Sequence, residues 1–101
     1  MVSLILVILI IGISFLSFRI FTNLNKAIQI NIQREKIQGQ INFWKSVSDK
    51  YPGYKDSYFR IAELEYTLGD FKKANEFNTK ALFLDPNYND AKKLELLLSR
   101  D

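Results

Sequence analysis

The hydrophobic positions of this chain form two patterns, an unbroken apolar run at the start and a helical periodicity afterwards. Residues 2 to 18 carry no charge, and every charged side chain lies at Arg19 or beyond. As a helix rising about 1.5 Å per residue, the run spans roughly 25 Å, the lower limit for crossing a bilayer. Ile20 and Phe21 extend it if the Arg19 side chain reaches the headgroups. Residues 1–21 are therefore predicted to be a transmembrane anchor.

Two other interpretations of this run fit less well. The rest of the chain is too small to surround a helix that is apolar on all sides, as a buried core helix would require. A cleaved signal peptide has a basic start and small residues at its cleavage site. Here the chain begins Met-Val-Ser, and the run ends Ser14-Phe-Leu-Ser17. The run is therefore predicted to be a retained anchor. If that prediction is wrong, the alternative is a signal peptide followed by a secreted module.

The next segment, residues 22–36, is predicted to be a helical stalk. Proline and glycine are absent from Ile13 to Gln38, and Phe21, Leu24 and Ile28 fall on one helical face. The alternation Ile28-Gln-Ile30-Asn-Ile32 is a strand signal, but no second strand-like run exists to pair with it, and a lone strand is not stable. The sequence therefore favours helix through this segment.

Helical periodicity returns in residues 37–101, which are predicted to form a helical module. The first helix of the module ends before the Pro52-Gly53 turn. Further helices are predicted over residues 57–68, 71–84 and 90–99. Gly69 is expected to end one helix in the left-handed conformation, and Asp70 to cap the next. The fold class is accordingly all-α.

Internal periodicity identifies the type of module. Five pairs of identical or similar residues lie 34 positions apart: Ile37 and Phe71, Phe43 and Phe77, Pro52 and Pro86, Tyr54 and Tyr88, Asp56 and Asp90. A period of about 34 residues is that of the tetratricopeptide repeat. The order of residues also resembles the consensus of this family: Tyr58, Ile61-Ala62, Gly69-Asp70-Phe71, Ala74, Phe77, Ala81-Leu82 and Leu84-Asp85-Pro86-Asn87.

The resemblance covers one full repeat, residues 55–88, with flanking half-repeat helices. The helix before it resembles the second helix of a degenerate repeat, and residues 90–99 resemble a terminal capping helix. Ala62, Ala74 and Ala81 are expected to let the two helices approach closely, and Phe71 and Phe77 to fill space between hairpins. Gln40, Glu65 and Asn78 depart from the family pattern. A generic three-helix bundle is the alternative.

Charge bears on topology and on partners. The formal net charge is +3, and residues 19 to 50 hold six basic and two acidic side chains. Basic residues that directly follow an apolar helix place the tail in the cytoplasm by the positive-inside rule. A nucleic-acid partner is not expected, since binding one usually requires a denser basic stripe on a folded face. The sequence contains no cysteine and no histidine, which excludes disulfides, thiolate nucleophiles and imidazole ligands.

No constellation predicts an enzyme, a cofactor or a metal site. Glu63 and Glu65 are two positions apart on a helix and so face different directions. The stretch from Asp85 to Asp90 resembles the start of a calcium loop, but Asp90 stands where glycine is needed and Leu96 where the bidentate glutamate belongs. The stretch is more simply a helix stop followed by a cap.

The resemblance implies a non-catalytic, membrane-tethered module that binds a protein or peptide. In this family the first helix of each repeat lines the binding groove, which carries over here to Asp56, Phe59, Glu63, Tyr66 and Thr67. These residues favour an apolar ligand segment with a basic residue in contact with Glu63. The alternative for Phe59 and Tyr66 is that both rings pack in the core.

Two further expectations concern assembly. Since repeats stack to bury their apolar faces, the isolated module is expected to be marginally stable or to form a homo-oligomer. The alternative function is that of a structural subunit, which assembles through its transmembrane and stalk helices as small single-span cell-division proteins do.

Overall fold

A computed structural model describes residues 1–100 as four helices and contains no strand in that range. The helices are α1 (Val2–Lys50), α2 (Lys55–Thr67), α3 (Phe71–Leu84) and α4 (Asn89–Arg100). The all-α class predicted from the sequence is confirmed. The chain divides into two compact units, residues 1–33 and residues 34–101, so the boundary falls inside the segment predicted as a stalk.

The first unit consists of the apolar N-terminal part of α1. Its most apolar 18-residue window has a mean hydropathy of 2.7, and none of that window is buried. By length and composition this helix could cross a membrane. The alternating Ile28, Ile30 and Ile32 lie in the helix with more than half of each side chain exposed. The helical interpretation of this segment is therefore confirmed.

In the second unit the turn residues end the helices as the sequence predicted. Gly69 has φ of 83°, the left-handed conformation that favours glycine. Asp70 caps α3 by accepting a hydrogen bond from the Lys73 backbone N–H at 3.1 Å. Helix α2 begins at Lys55, two residues before its predicted start, because the backbone N–H of Ser57 already donates to the Tyr54 carbonyl.

Helices α2 and α3 form an antiparallel hairpin. The ion pair of Lys55 and Asp85 joins the start of α2 to the end of α3, and the rings of Tyr66 and Phe71 lie 5.2 Å apart at the opposite end. Close approach of the helices depends on small side chains. The three alanines predicted for this role, Ala62, Ala74 and Ala81, have no exposed surface.

Helix α4 packs on the same hairpin and completes its core. Ala91 and Leu94 of α4 lie in one cluster with Phe59, Ala62 and Ala81. The C-terminal part of α1 also belongs to this unit, and it buries Ile41 completely. The core of the unit thus receives side chains from all four helices.

The two phenylalanines of α3, both expected to fill space between hairpins, differ in their surroundings. Phe77 is half-buried and packs against the core cluster, whereas Phe71 is 43% exposed. The Phe77 ring also lies beneath two ammonium groups, Lys45 at 5.7 Å and Lys80 at 5.0 Å. The Phe71 ring lies at the surface beside Tyr66, and it lines a small cavity together with Glu95 and Leu98 of α4.

Candidate binding groove

A groove of about 770 Å³ opens in the second unit between the end of α1, helix α2 and helix α4. All five residues assigned to the predicted binding stripe of α2 line it, and eight others complete its walls. The lining residues are Trp44, Tyr54, Asp56, Phe59, Arg60, Glu63, Tyr66, Thr67, Tyr88, Asp90, Lys93, Leu94 and Leu97.

The helical repeat explains why the stripe reaches one groove. Residues separated by three or four positions lie on the same side of a helix, and Asp56, Phe59, Glu63 and Thr67 keep this spacing. Ile61 and Ala62 project from another side of α2 and are fully buried. Helix α2 therefore presents one face to the core and an adjoining face to the groove.

Phe59 belongs more to the core than to the surface. Its side chain is only 8% exposed, and its ring lies 5.3 Å from that of Tyr88 at a tilted angle. Tyr66 is half-buried and packs beside Phe71. These two rings therefore form the floor of the groove and at the same time hold the helices together.

Glu63 already has a cation beside it. Its carboxylate accepts a hydrogen bond from the Arg60 guanidinium at 3.1 Å, and about half of each side chain is exposed. An exposed pair of this kind contributes little to stability, but the two charges largely neutralise each other. A ligand cation at Glu63 would have to compete with Arg60.

The opposite end of the groove is organised around Tyr88. Its hydroxyl donates to Asp56 at 2.8 Å, and burial, followed by this hydrogen bond and the Asp56 charge, raises the pKa of the phenol well above its usual range. The Lys55 ammonium lies 4.6 Å from the centre of the same ring. Its hydrogen bond to Asp85 raises the pKa of Lys55 and lowers that of Asp85.

Sequence reasoning placed only α2 in the groove and missed the contribution of α4. The 34-residue period predicts this contribution. The positions 34 residues after Asp56, Phe59 and Glu63 are Asp90, Lys93 and Leu97. All three of these α4 residues line the groove. Trp44, from α1, lies outside the full repeat, and the offset from α2 does not predict it.

The chemistry of the groove is that of non-covalent recognition, with rings, carboxylates and two cations facing one space. Among residues 1–100 no three acidic side chains are grouped so as to hold a metal ion. A scan against protein-family models, a search of curated proteins and a search of solved structures each gave no match to this chain. A functional assignment therefore rests on the residues of the groove and of the apolar helix.

Proposed function

We propose that the chain is a non-catalytic, membrane-tethered interaction module of the tetratricopeptide type. The apolar part of α1 anchors it in the bilayer, and the groove receives a segment of a protein partner on the cytoplasmic side. The module acts as an adaptor or as an assembly subunit. The assignment to this family rests on the 34-residue period and on the order of residues from Tyr58 to Asn87.

One observation carries the proposal: five stripe residues, chosen from the sequence by resemblance, line a single groove together. A concave surface with aromatic side chains at its floor and charges at its rim is typical of peptide-binding sites. The cytoplasmic orientation rests on the basic residues that follow the apolar run, Arg19, Lys26 and Arg34 among them.

The test fills the groove without disturbing the core. Thr67 is exposed in the groove, and its hydroxyl donates to the backbone carbonyl four residues earlier at 3.0 Å. Thr79, exposed on α3 outside the groove, makes the same kind of bond at 2.7 Å. These two threonines are therefore a matched pair.

Full-length protein carrying Thr67→Arg should lose its cross-linked partners in native membranes, whereas Thr79→Arg should retain them. Both variants should remain in the membrane fraction with unchanged helical content. Equal recovery of partners with both variants would show that the groove is not the binding surface.

A second function, that of a structural subunit assembling through its membrane-proximal helix, is favoured by the exposure of this helix. Phe21, Leu24 and Ile28 share one helical face and are 61%, 58% and 53% exposed. Replacing residues 2–34 with an unrelated transmembrane helix separates the two functions. If the chimera loses its partners while the Thr67→Arg variant keeps them, the result would support the structural-subunit function.

A further inference from the structure

Two aspartates, Asp56 and Asp90, lie at one end of the groove. Ion pairs among the described residues join Lys55 to Asp85, Arg60 to Glu63 and Lys73 to Asp70. Asp56 and Asp90 take part in none of them. They occupy equivalent positions, 34 residues apart, in the first turns of α2 and α4.

Their carboxylates act on the same neighbour. Asp56 accepts the hydrogen bond of the Tyr88 hydroxyl, and the negative charges of both Asp56 and Asp90 raise the pKa of that phenol. Tyr88 thus lies within the field of both carboxylates, and the weaker effect of the Arg60 charge, which lowers the same pKa, does not cancel theirs. The three residues form one end of the groove, which we call the acidic end.

Aromatic rings accompany this negative charge. Tyr54 is 45% exposed and Trp44 is half-buried, and both line the groove with Tyr88. A guanidinium or ammonium group gains from charge-assisted hydrogen bonds to carboxylates and from contact with ring faces. A cationic side chain therefore suits both features of this end of the groove.

We infer that the groove selects a segment carrying an arginine or lysine beside an apolar side chain, with the cation held at the acidic end by Asp56 and Asp90. The inference rests on the proposed function, and it moves the cation contact away from Glu63, because Arg60 already neutralises that carboxylate. An acidic segment fits poorly, since Lys93 is the only groove cation outside an ion pair.

A different role for these aspartates must be separated by experiment. Carboxylates in the first turn of a helix stabilise its N-terminus through the helix dipole. The helical content of each Asp90 variant reports this role. Net charge needs its own control, on the same helix and with the same change of charge. Glu95 meets this need because it is exposed on α4 and lies outside the groove.

The experiment measures peptide binding to full-length protein in an uncharged detergent, with empty micelles as the blank. The probes are acetyl-Leu-Arg-Trp-Arg-Leu-amide and its counterparts with glutamine or glutamate in place of arginine. The wild-type protein should bind the arginine peptide about tenfold more tightly than the glutamine peptide, as one charge-assisted contact allows. Asp90→Lys should weaken arginine-peptide binding by about tenfold, and Glu95→Lys by less than about twofold.

Each other outcome is decisive. Equal weakening by Asp90→Lys and Glu95→Lys would mean that only net charge matters, and the inference would be overturned. Tightest binding of the glutamine or glutamate peptide would overturn it while leaving the groove a binding site. No binding of any peptide above the blank would count against the proposed function itself. If Asp90→Lys loses helical content, Asp90→Asn replaces it and should still weaken arginine-peptide binding measurably.

Discussion

At the scale of single residues, the α2–α3 hairpin buries two large polar side chains, Asn78 and Glu65. Asn78 is 1% exposed; its Nδ2 donates to the Ala91 carbonyl at 2.8 Å, and its Oδ1 has no partner among the described residues. Glu65, on α2, is 3% exposed. At Asn78 a directional hydrogen bond ties α3 to α4.

Asn78→Asp tests the importance of that bond with almost no change in shape. The substitution removes the donor and buries a charge without a partner, which should lower the free energy of unfolding by about 3–5 kcal/mol. Chemical denaturation of the detergent-solubilised protein measures this difference. Asn75→Asp, on the exposed face of the same helix, should change it by less than about 0.5 kcal/mol. Comparable losses in the two variants would show that Asn78 is not buried as described.

Tyr88 makes stability depend on alkaline pH. Its pKa is raised in the folded protein above the ordinary value of 10.0, so the folded state favours the neutral phenol. That contribution is fully present below pH 10.0 and is lost as pH rises towards the raised value. The pKa of Lys55 is also raised, from 10.5, so the contribution of Lys55 to stability is likewise lost as pH rises above that value. The free energy of unfolding should therefore fall steeply as the solution becomes strongly alkaline.

In Tyr88→Phe the free energy of unfolding should decrease less with rising alkaline pH than in the wild type. The variant also loses the hydrogen bond to Asp56, so it should be less stable at neutral pH. Denaturation curves recorded across the alkaline range measure the slope for each protein. An identical slope in Tyr88→Phe and the wild type would contradict the assignment.

At acid pH, Asp85 has a lowered pKa, so its contribution to stability should be lost only as pH falls below 3.8.

At the scale of elements, the α2–α3 connection is fixed by two adjacent residues with different roles. Gly69 takes the positive φ that reverses the chain, and Asp70 satisfies a backbone donor at the start of α3. The backbone N–H of Asp70 in turn donates to the Glu65 carbonyl at 3.0 Å. The bonds of this connection depend on neighbouring residues only, which is why the sequence predicts it well.

Gly69→Ala should destabilise the hairpin by about 1–2 kcal/mol, because a Cβ is strained at positive φ even where there is room for it. Nothing lies within 4 Å of a Cβ built at Gly69, so the loss is conformational and not a clash. Gly53 provides the control: it has the same open surroundings and no positive φ. Gly53→Ala should leave the free energy of unfolding unchanged or raise it by up to about 1 kcal/mol. Equal effects at both positions would contradict the backbone argument.

At the scale of the whole molecule, the chain combines a helix that could cross a membrane with a small helical unit. Full-length protein should pellet with membranes and resist extraction with alkaline carbonate, whereas a fragment starting at Asn31 should stay in the supernatant. That fragment keeps the entire second unit, which begins at Arg34. Full-length protein in the soluble fraction with an intact N-terminus would refute the anchor.

The fragment is also expected to be marginal in stability or to self-associate. Phe83 is 85% exposed and Leu96 62% exposed, so α3 and α4 leave apolar surface uncovered within the described residues. A homo-oligomer would make the midpoint of unfolding rise with protein concentration. Sedimentation and melting over a wide concentration range measure this directly. A stable monomer with a constant midpoint would show that the second unit is stable without a partner.

The sequence alone determined the features that depend on near neighbours. The stops at Pro52, Gly69 and Pro86 predict the ends of α2, α3 and α4 to within about two residues. The anchor, the stalk and the first helix of the module, predicted as three segments, form the single helix α1. The burial of Ala62, Ala74 and Ala81 was predicted from the resemblance to the tetratricopeptide consensus. The α2 stripe was chosen by the same resemblance, and helical periodicity explains why its residues share a face.

Tertiary structure decided which groups each of these side chains meets. Tyr88 and Asp56 are 32 residues apart in the sequence, and Lys55 and Asp85 are 30 apart, so both contacts exist only once the helices have packed. Packing also turned Phe59 towards the core and left Phe71 exposed. Periodicity gives the direction of a side chain around its own helix, but the position of the neighbouring helices determines whether it meets a ring, a charge or solvent.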